Sequence, residues 1–125
     1  MPYKIQSETG YERVDLWGQA TKWDVMQAII ELRRQDPCKA KPDLWVIDEE
    51  VVVPLADHAS MADASTQQLP ADFKGAPTAI VVNNMLQLEM AKLYREHLKS
   101  APFALEIFQD IAAAEEWISS NTGHS

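Results

Sequence analysis

The sequence of 125 residues predicts an α/β fold, a single domain with a mixed five-stranded sheet. Short apolar runs typical of strands alternate with amphipathic helical patterns, which favours parallel β-α units. The first two strand-like runs are separated only by Thr9-Gly10, which is too short for a crossover and requires an antiparallel hairpin. An apolar content of 46% is typical of a globular chain. We therefore expect one domain over 1–125, with a frayed tail over 119–125.

The N-terminal part of the chain predicts a hairpin and then a helix. Residues 3–8 and 11–17 alternate between apolar and polar side chains on either side of a glycine-containing turn. A helix begins after Thr21, because Thr21 and Asp24 have the spacing of a capping box. The helix ends before Pro37, which disfavours a helical conformation of the preceding residue.

The middle of the chain predicts one buried strand and a less regular segment. Residues 44–48 are apolar up to a final aspartate, as expected for a parallel strand that is covered on both faces. A short helix is expected over 55–64, where large apolar residues are few. The stretch 65–75 is expected to be an irregular surface segment.

The C-terminal part predicts two further strands, each followed by a helix. Residues 78–83 and 103–108 are the strands, and Asn84 and Asp110 are the expected helix caps. The expected buried faces of these helices are Leu86, Met90, Ala91, Leu93, Tyr94 and Leu98 in the first, and Ile111, Ala114, Trp117 and Ile118 in the last.

The charge of the chain excludes some classes of partner. Eleven Lys and Arg against nineteen Asp and Glu give a formal net charge of −8. Nucleic-acid binding and docking on anionic lipid both depend on basic surfaces, so neither is expected. No apolar run approaches the roughly 20 residues of a membrane-spanning helix. With no secretory signal and a single cysteine, Cys38, the sequence predicts a cytoplasmic protein.

The motifs of cofactor and metal binding are absent from the sequence. Four glycines provide no G-x-G-x-x-G or P-loop pattern, and one cysteine cannot form a multi-thiolate metal site. No serine lies in the elbow motif of a hydrolase. The sequence therefore predicts no cofactor and no metal.

Three parts of the chain resemble the SpoIIAA-like branch of the STAS fold, the sulfate-transporter and anti-sigma-factor-antagonist domain. These are the hairpin with the helix over 21–34, the strand that ends at Asp48, and the stretch 78–118. The last of these includes Phe108-Gln109-Asp110 and, four residues later, Ala114-Glu115-Glu116-Trp117-Ile118, similar to the F-x-D-x-x-x-A-x-x-W-[LI] close of the family. The resemblance implies a docking module, and some members of this branch have been linked to apolar, lipid-like ligands.

One departure from that family affects the expected regulation. Antagonists of the phospho-switch type carry a serine at the start of the helix that follows the Asp-ending strand. Here the first serine after the strand is Ser60, and an acidic residue, Asp57, lies near the switch position. The resemblance therefore implies docking or ligand binding more than a phosphorylated switch.

Candidate site residues are expected at the carboxyl ends of the parallel strands, where ligands gather in such sheets. We expect a ligand or partner face made of Asp48, Glu49, Asp57, Ser60, Asn83 and Asn84. The acidic residues could bind a hard cation, but they could equally cap a turn and remain solvated. The asparagines could bind a polar ligand, but Asn84 also suits a helix cap.

The sequence therefore favours a non-enzymatic binding or regulatory module. It would dock a protein partner or hold an apolar molecule near the segment 48–76. The alternative is an enzyme that uses carboxylates or a cation at the strand ends. A homodimer is a further expectation, because edge strands of such sheets often pair.

Overall fold

The structure is a computed structural model of the chain. It describes residues 2–36, 40–52, 75–98, 101 and 103–122. The expected helix over 55–64 and the expected irregular stretch up to residue 74 lie outside the described residues, as does Cys38.

Five strands and three helices make up the described part of the chain. They are β1 (Tyr3–Glu8), β2 (Tyr11–Leu16), α1 (Lys22–Gln35), β3 (Asp43–Ile47), β4 (Thr78–Val81), α2 (Met85–His97), β5 (Leu105–Phe108) and α3 (Ile111–Thr122). None of these helices is long and apolar enough to cross a membrane.

The strands form one sheet in the order β1-β2-β3-β4-β5. The pair β1 and β2 is antiparallel, and every later pair is parallel. Trp45 in the central strand lies beside Val14 on one side and Ile80 on the other. The predicted mixed five-stranded sheet is therefore confirmed.

The helices α1 and α2 cover one face of the sheet and α3 covers the other. Right-handed crossovers between strands that follow chain order put the connecting helices on the same face. The buried cluster on the α1 and α2 face comprises Tyr3, Val14, Leu16, Ala20, Val25, Ala28, Ile29, Leu32, Trp45, Val51, Ile80, Val82 and Ala91. The cluster under α3 comprises Leu44, Ala79, Val81, Ala114 and Ile118.

Side-chain caps begin the three helices where the sequence predicts them. The Asp24 carboxylate accepts the Thr21 backbone N–H at 2.8 Å, which is one half of a capping box. Asn84 Oδ1 accepts the Gln87 N–H at 2.8 Å, and the Asp110 carboxylate accepts the Ala113 N–H at 3.2 Å. Each cap satisfies a backbone donor that has no partner within its helix.

The predicted buried face of α2 is wrong at two positions. Leu86 and Leu93 are exposed, at 52% and 43%, whereas the polar Gln87 is buried. The sheet-facing row instead runs through Gln87, Ala91 and Leu98, at spacings of four and seven residues. A prediction from apolar character alone therefore put the wrong residues on this face. It could not identify Gln87 as buried, because the side chain of Gln87 makes hydrogen bonds that the apolar pattern does not reveal.

Candidate functional site

The predicted site residues lie at the carboxyl ends of β3 and β4. Asp48 and Glu49 directly follow β3 and are exposed. Asn83 and Asn84 follow β4, with Asn83 exposed and Asn84 half-buried. Asp57 and Ser60 lie outside the described residues, so four of the six expected residues are placed at this edge.

Amide side chains fasten the segment after β3 to the start of α2. Asn83 Nδ2 donates to the Ile47 carbonyl, and Asn84 Nδ2 donates to the Glu49 carbonyl at 2.9 Å. These amide donors therefore bond backbone oxygens of the same chain, and both asparagines help to hold the loop in position.

Gln87 completes this network, although the sequence patterns did not single it out. Its Nε2 donates to the carbonyls of Asp48 at 2.6 Å and Val51 at 3.0 Å. Its Oε1 accepts the Asn83 backbone N–H at 2.8 Å. A buried side chain with three such bonds satisfies backbone groups that would otherwise be costly to bury.

The carboxylates at this edge are spread along the loop. Asp48, Glu49 and Glu50 are all exposed, and the Glu50 carboxylate accepts the Gly18 N–H at 2.9 Å. Within the described ranges, no three His, Cys, Asp or Glu side chains come together in a group that could hold a metal ion. The carboxyl edge of the sheet is therefore an acidic surface, formed by a loop that hydrogen bonds hold in position.

A separate cavity of about 110 Å³ lies on the sheet face that carries α1 and α2. Among the described elements, α1 packs against β1 and α2 packs against β5. The cavity lies above the central strands β3 and β4. The walls are mainly apolar. Its lining residues are Leu16, Val25, Ile29, Leu32, Arg33, Asp43, Trp45, Ile47, Val51, Thr78, Ile80, Gln87, Met90, Ala91, Tyr94, Leu98, Phe103 and Leu105.

Polar side chains line one end of this cavity, at the amino ends of β3 and β4. Asp43 and Thr78, the first residues of these strands, are both buried. The Thr78 hydroxyl donates to Asp43 Oδ1 at 2.7 Å, and Trp45 Nε1 donates to Asp43 Oδ2 at 2.8 Å. Two neutral donors thus stabilise a buried carboxylate whose charge would otherwise be costly.

Arg33 from α1 lines the same end of the cavity. Burial lowers the pKa of its guanidinium, and the nearby carboxylates of Asp43 and Asp36 oppose that change. A second cavity of about 10 Å³ lies behind this end and is lined by Arg33 and Asp43 as well. Lys41 and Glu12 also line that small cavity and form an ion pair at 2.7 Å. Two cations, Arg33 and Lys41, and three carboxylates, Glu12, Asp36 and Asp43, therefore lie around this end.

Exposed apolar side chains surround the carboxyl edge of the sheet. Trp17, Trp23, Val52, Met85 and Leu86, which we call the apolar rim, are all exposed, with Trp23 and Met85 at 66%. Hydrogen bonds from Gly18 to Glu50 and from Asn84 to Glu49 join the loops that carry Trp17 and Val52 to each other and to the start of α2, which carries Met85 and Leu86. An exposed apolar patch of this kind is typical of a surface that docks a partner.

The structure describes only a small part of the segment 48–76, near which the sequence predicts an apolar ligand. Val51 from this segment lines the cavity, and residues 53–74 lie outside the described residues. The polar end of the cavity was missed, because Asp43 and Thr78 stand at the starts of apolar runs and look like strand boundaries. A charged and a hydroxylated residue at equivalent starts of neighbouring parallel strands was the available signal.

Comparison with solved structures identifies the type of fold. The chain is similar to an uncharacterized protein of the DUF3478 family with a SpoIIAA-like fold from Shewanella loihica PV-4, whose crystal structure is known. The TM-score is 0.56 at 20% sequence identity, covering 93% of this chain and 91% of that one. The fold is therefore SpoIIAA-like, as the sequence resemblance implied. No protein-family profile and no curated protein matches the sequence.

Proposed function

We propose that the chain is a small cytoplasmic binding module that holds a small apolar molecule in the cavity between α1 and α2. The observation that carries this proposal is a mainly apolar space above the central strands, with few polar groups, among them Asp43 and Thr78 at one end and Gln87 at the other. Ligand sites are typically concave and apolar, with a few polar groups that orient the bound molecule.

The volume of the cavity limits the size of that molecule. An apolar cavity of about 150 Å³ in another protein stays dry and binds benzene. A cavity of about 110 Å³ therefore suits one aromatic ring or a short alkyl chain. A longer lipid-like molecule would have only part of its chain inside.

Thermal unfolding with and without benzene tests the proposal. We expect saturating benzene to raise the Tm of the wild-type protein by about 4 °C or more, because it binds only the folded state. Ala91 lines the cavity from α2, so Ala91→Phe should fill it and abolish this rise. The matched control is Ala112→Phe on the exposed face of α3, which should keep the rise. The proposal fails if benzene leaves the wild-type Tm unchanged or stabilises Ala91→Phe equally.

Protein docking is a second candidate function, and the apolar rim favours it. Tryptophan and methionine side chains often anchor protein interfaces. The exposed Asp48 and Glu49 flank the rim, so we propose a partner surface with an apolar pocket bordered by basic residues. Asp57, Ser60, Asn83 and Asn84 remain proposed members of this partner face.

Substitutions on the rim test the docking proposal. A protein that binds the wild-type chain should not bind a variant with both Trp23→Ser and Met85→Ser. Washing with about 0.5 M NaCl should also release this protein from the wild-type chain. The control is Leu93→Ser, an exposed leucine of α2 outside the rim, which should retain the partner. Equal retention of the partner by the wild-type chain, the double variant and Leu93→Ser would contradict docking at the apolar rim. A mass that rises with protein concentration in light scattering would identify a second copy of the chain as the partner.

The alternative of a cation-using enzyme has its own test at Asp48. If the exposed carboxylates at this edge hold Mg²⁺ or Ca²⁺, either ion should raise the Tm of the wild-type protein more than that of Asp48→Asn. On our proposal, the two proteins respond equally to both ions.

A further inference from the structure

We propose that two copies of the chain pair through the outer edge of β1, as antiparallel strands, so that Lys4 of each copy faces Glu8 of the other. This inference does not depend on the proposed function, because no residue of β1 lines the cavity or belongs to the apolar rim. It rests on the position of β1 in the sheet and on the order of charges along this strand.

The outer edge of β1 presents backbone groups to a further strand. β1 lies at one end of the sheet and, among the described strands, pairs only with β2. The Trp17 N–H donates to the Pro2 carbonyl at 3.0 Å, so these two residues form a hydrogen-bonded pair of the ladder. Because such pairs alternate along antiparallel strands, the backbone groups of Tyr3, Ile5 and Ser7 point away from β2. A strand edge of this kind is a template for another chain.

The charges along β1 are self-complementary about Gln6. Lys4 precedes Gln6 by two residues and Glu8 follows it by two, so an antiparallel copy centred on Gln6 places each lysine opposite a glutamate. In this register, backbone bonds join Ile5 of one copy to Ser7 of the other. The Lys4 and Glu8 pairs then lie between the bonded pairs, where the Cα separation is about 4.5 Å and side chains are closest. Opposite charges in that position stabilise the pairing.

The side chains that this contact needs are accessible on one face of the sheet. Lys4 and Gln6 are exposed and Glu8 is half-buried. Side chains alternate along a strand, so these three lie on the face opposite to Tyr3 and Ile5, which pack in the cluster under α1 and α2. The main contacts of α3 on their own face are with β3, β4 and β5.

The other edge strand, β5, carries a charge that disfavours the same arrangement. It has four residues, and its one charged residue, Glu106, lies near its middle. A second copy of β5 centred on Glu106 would place two carboxylates directly opposite each other. Like charges in that position destabilise a strand pair. The charges therefore favour self-pairing at β1 over self-pairing at β5.

Charge reversal followed by sedimentation equilibrium tests this register. We expect the wild-type mass to rise from 14.1 kDa toward twice that value as the concentration increases to about 0.5 mM. Lys4→Glu or Glu8→Lys alone turns both cross-strand attractions into repulsions, so each should raise the dimer Kd by at least about tenfold. The variant with both substitutions restores opposite charges and should return the Kd to within about threefold of the wild-type value.

A mixture of the two single variants guards against a folding defect, because Lys4 also lies opposite Asp15 within the hairpin. Lys4→Glu and Glu8→Lys should form a heterodimer at concentrations where each alone is monomeric. A monomeric wild-type chain, single variants that dimerise like it, or a mixture that stays monomeric would overturn the inference. A dimer lost only in the variant with Trp23→Ser and Met85→Ser would also overturn it and place the contact at the apolar rim. None of these results affects the proposed binding in the cavity.

Disulfide trapping tests the centre of the contact. Gln6 faces its own copy in this register, so Gln6→Cys in a Cys38→Ser background should form a covalent dimer under mild oxidation. The matched control is Glu106→Cys on β5 in the same background, which should form little covalent dimer. Equal crosslinking of the two variants would reflect random collisions of surface cysteines and would contradict pairing at β1.

Discussion

Single buried polar side chains hold much of the local structure at the carboxyl edge of the sheet. Gln87 is buried and bonds the carbonyls of Asp48 and Val51 as well as the Asn83 backbone N–H. Removing its amide would leave the buried Val51 carbonyl and the Asn83 N–H without these bonds, whereas the Asp48 carbonyl would still accept the Val51 N–H at 3.1 Å. Each buried group left without a partner costs about 1–3 kcal/mol.

We therefore expect Gln87→Met to lower the free energy of unfolding by about 3 kcal/mol, since methionine keeps the size but none of the hydrogen bonds. Urea denaturation followed by fluorescence measures this change. The matched control is Gln27→Met on the exposed face of α1, which should cost less than about 0.5 kcal/mol. Equal stability of the two variants would show that the network is unimportant.

The raised pKa values of two tyrosines, Tyr3 and Tyr11, predict how the free energy of unfolding depends on pH. Burial, followed by a hydrogen bond and the nearby charge of Glu31, raises the pKa of Tyr3 to about 12. Burial and the hydrogen bond to Glu115 likewise raise the pKa of Tyr11 to about 12. The ordinary value is about 10, so folding favours the neutral phenols. This stabilisation is complete below about pH 10 and is lost as the pH rises toward 12.

The variant with Tyr3→Phe and Tyr11→Phe isolates that effect. Between about pH 10 and 12, the free energy of unfolding of the wild-type protein should fall more steeply than that of the double variant. Denaturation curves across this range measure the difference, and lysine deprotonation affects both proteins alike. Parallel pH profiles would contradict the assigned pKa shifts.

At the scale of elements, α3 is what closes the second face of the sheet. Ala114 and Ile118 are buried against β3 and β4, and the Trp117 ring lies 5.6 Å from that of Phe108. Without this helix, the apolar side chains of that face would be exposed. The helix should therefore be essential to the stability of the fold rather than an appendage.

Truncation of one side chain tests that role. Ile118→Ala should lower the free energy of unfolding by about 3 kcal/mol, because it leaves a cavity in a packed core. Ile30→Ala, on the exposed side of α1, should cost less than about 1 kcal/mol. Similar losses in both variants, measured by urea denaturation, would show that α3 packs loosely.

Most helices and strands could be predicted from the sequence, because residues within or next to each element mark where it begins and ends. Thr21, Asn84 and Asp110 marked the helix starts through residue types that bond free backbone N–H groups. The exposure of Leu86 and the burial of Gln87 could not be predicted, because they depend on which backbone groups a neighbouring loop presents to α2. Such information arises only when the loop and the helix meet.

At the scale of the whole molecule, the sheet could be predicted but the cavity could not. Alternating strands and helices after a tight turn leave few arrangements of a mixed sheet. The space above β3 and β4 lies between α1, which packs against β1, and α2, which packs against β5. That separation of two helices is a tertiary property that periodicity along the chain does not encode.

The central claim is that this space, and not the core under α3, takes up a small apolar molecule. Methyl NMR spectra recorded with and without benzene test it most directly, because each core carries its own methyl groups. We predict chemical-shift changes at Val25, Ile29 and Ile80 in the cavity wall, and none at Ala114 or Ile118 under α3. Unchanged spectra, or changes centred on Ala114 and Ile118, would contradict the claim.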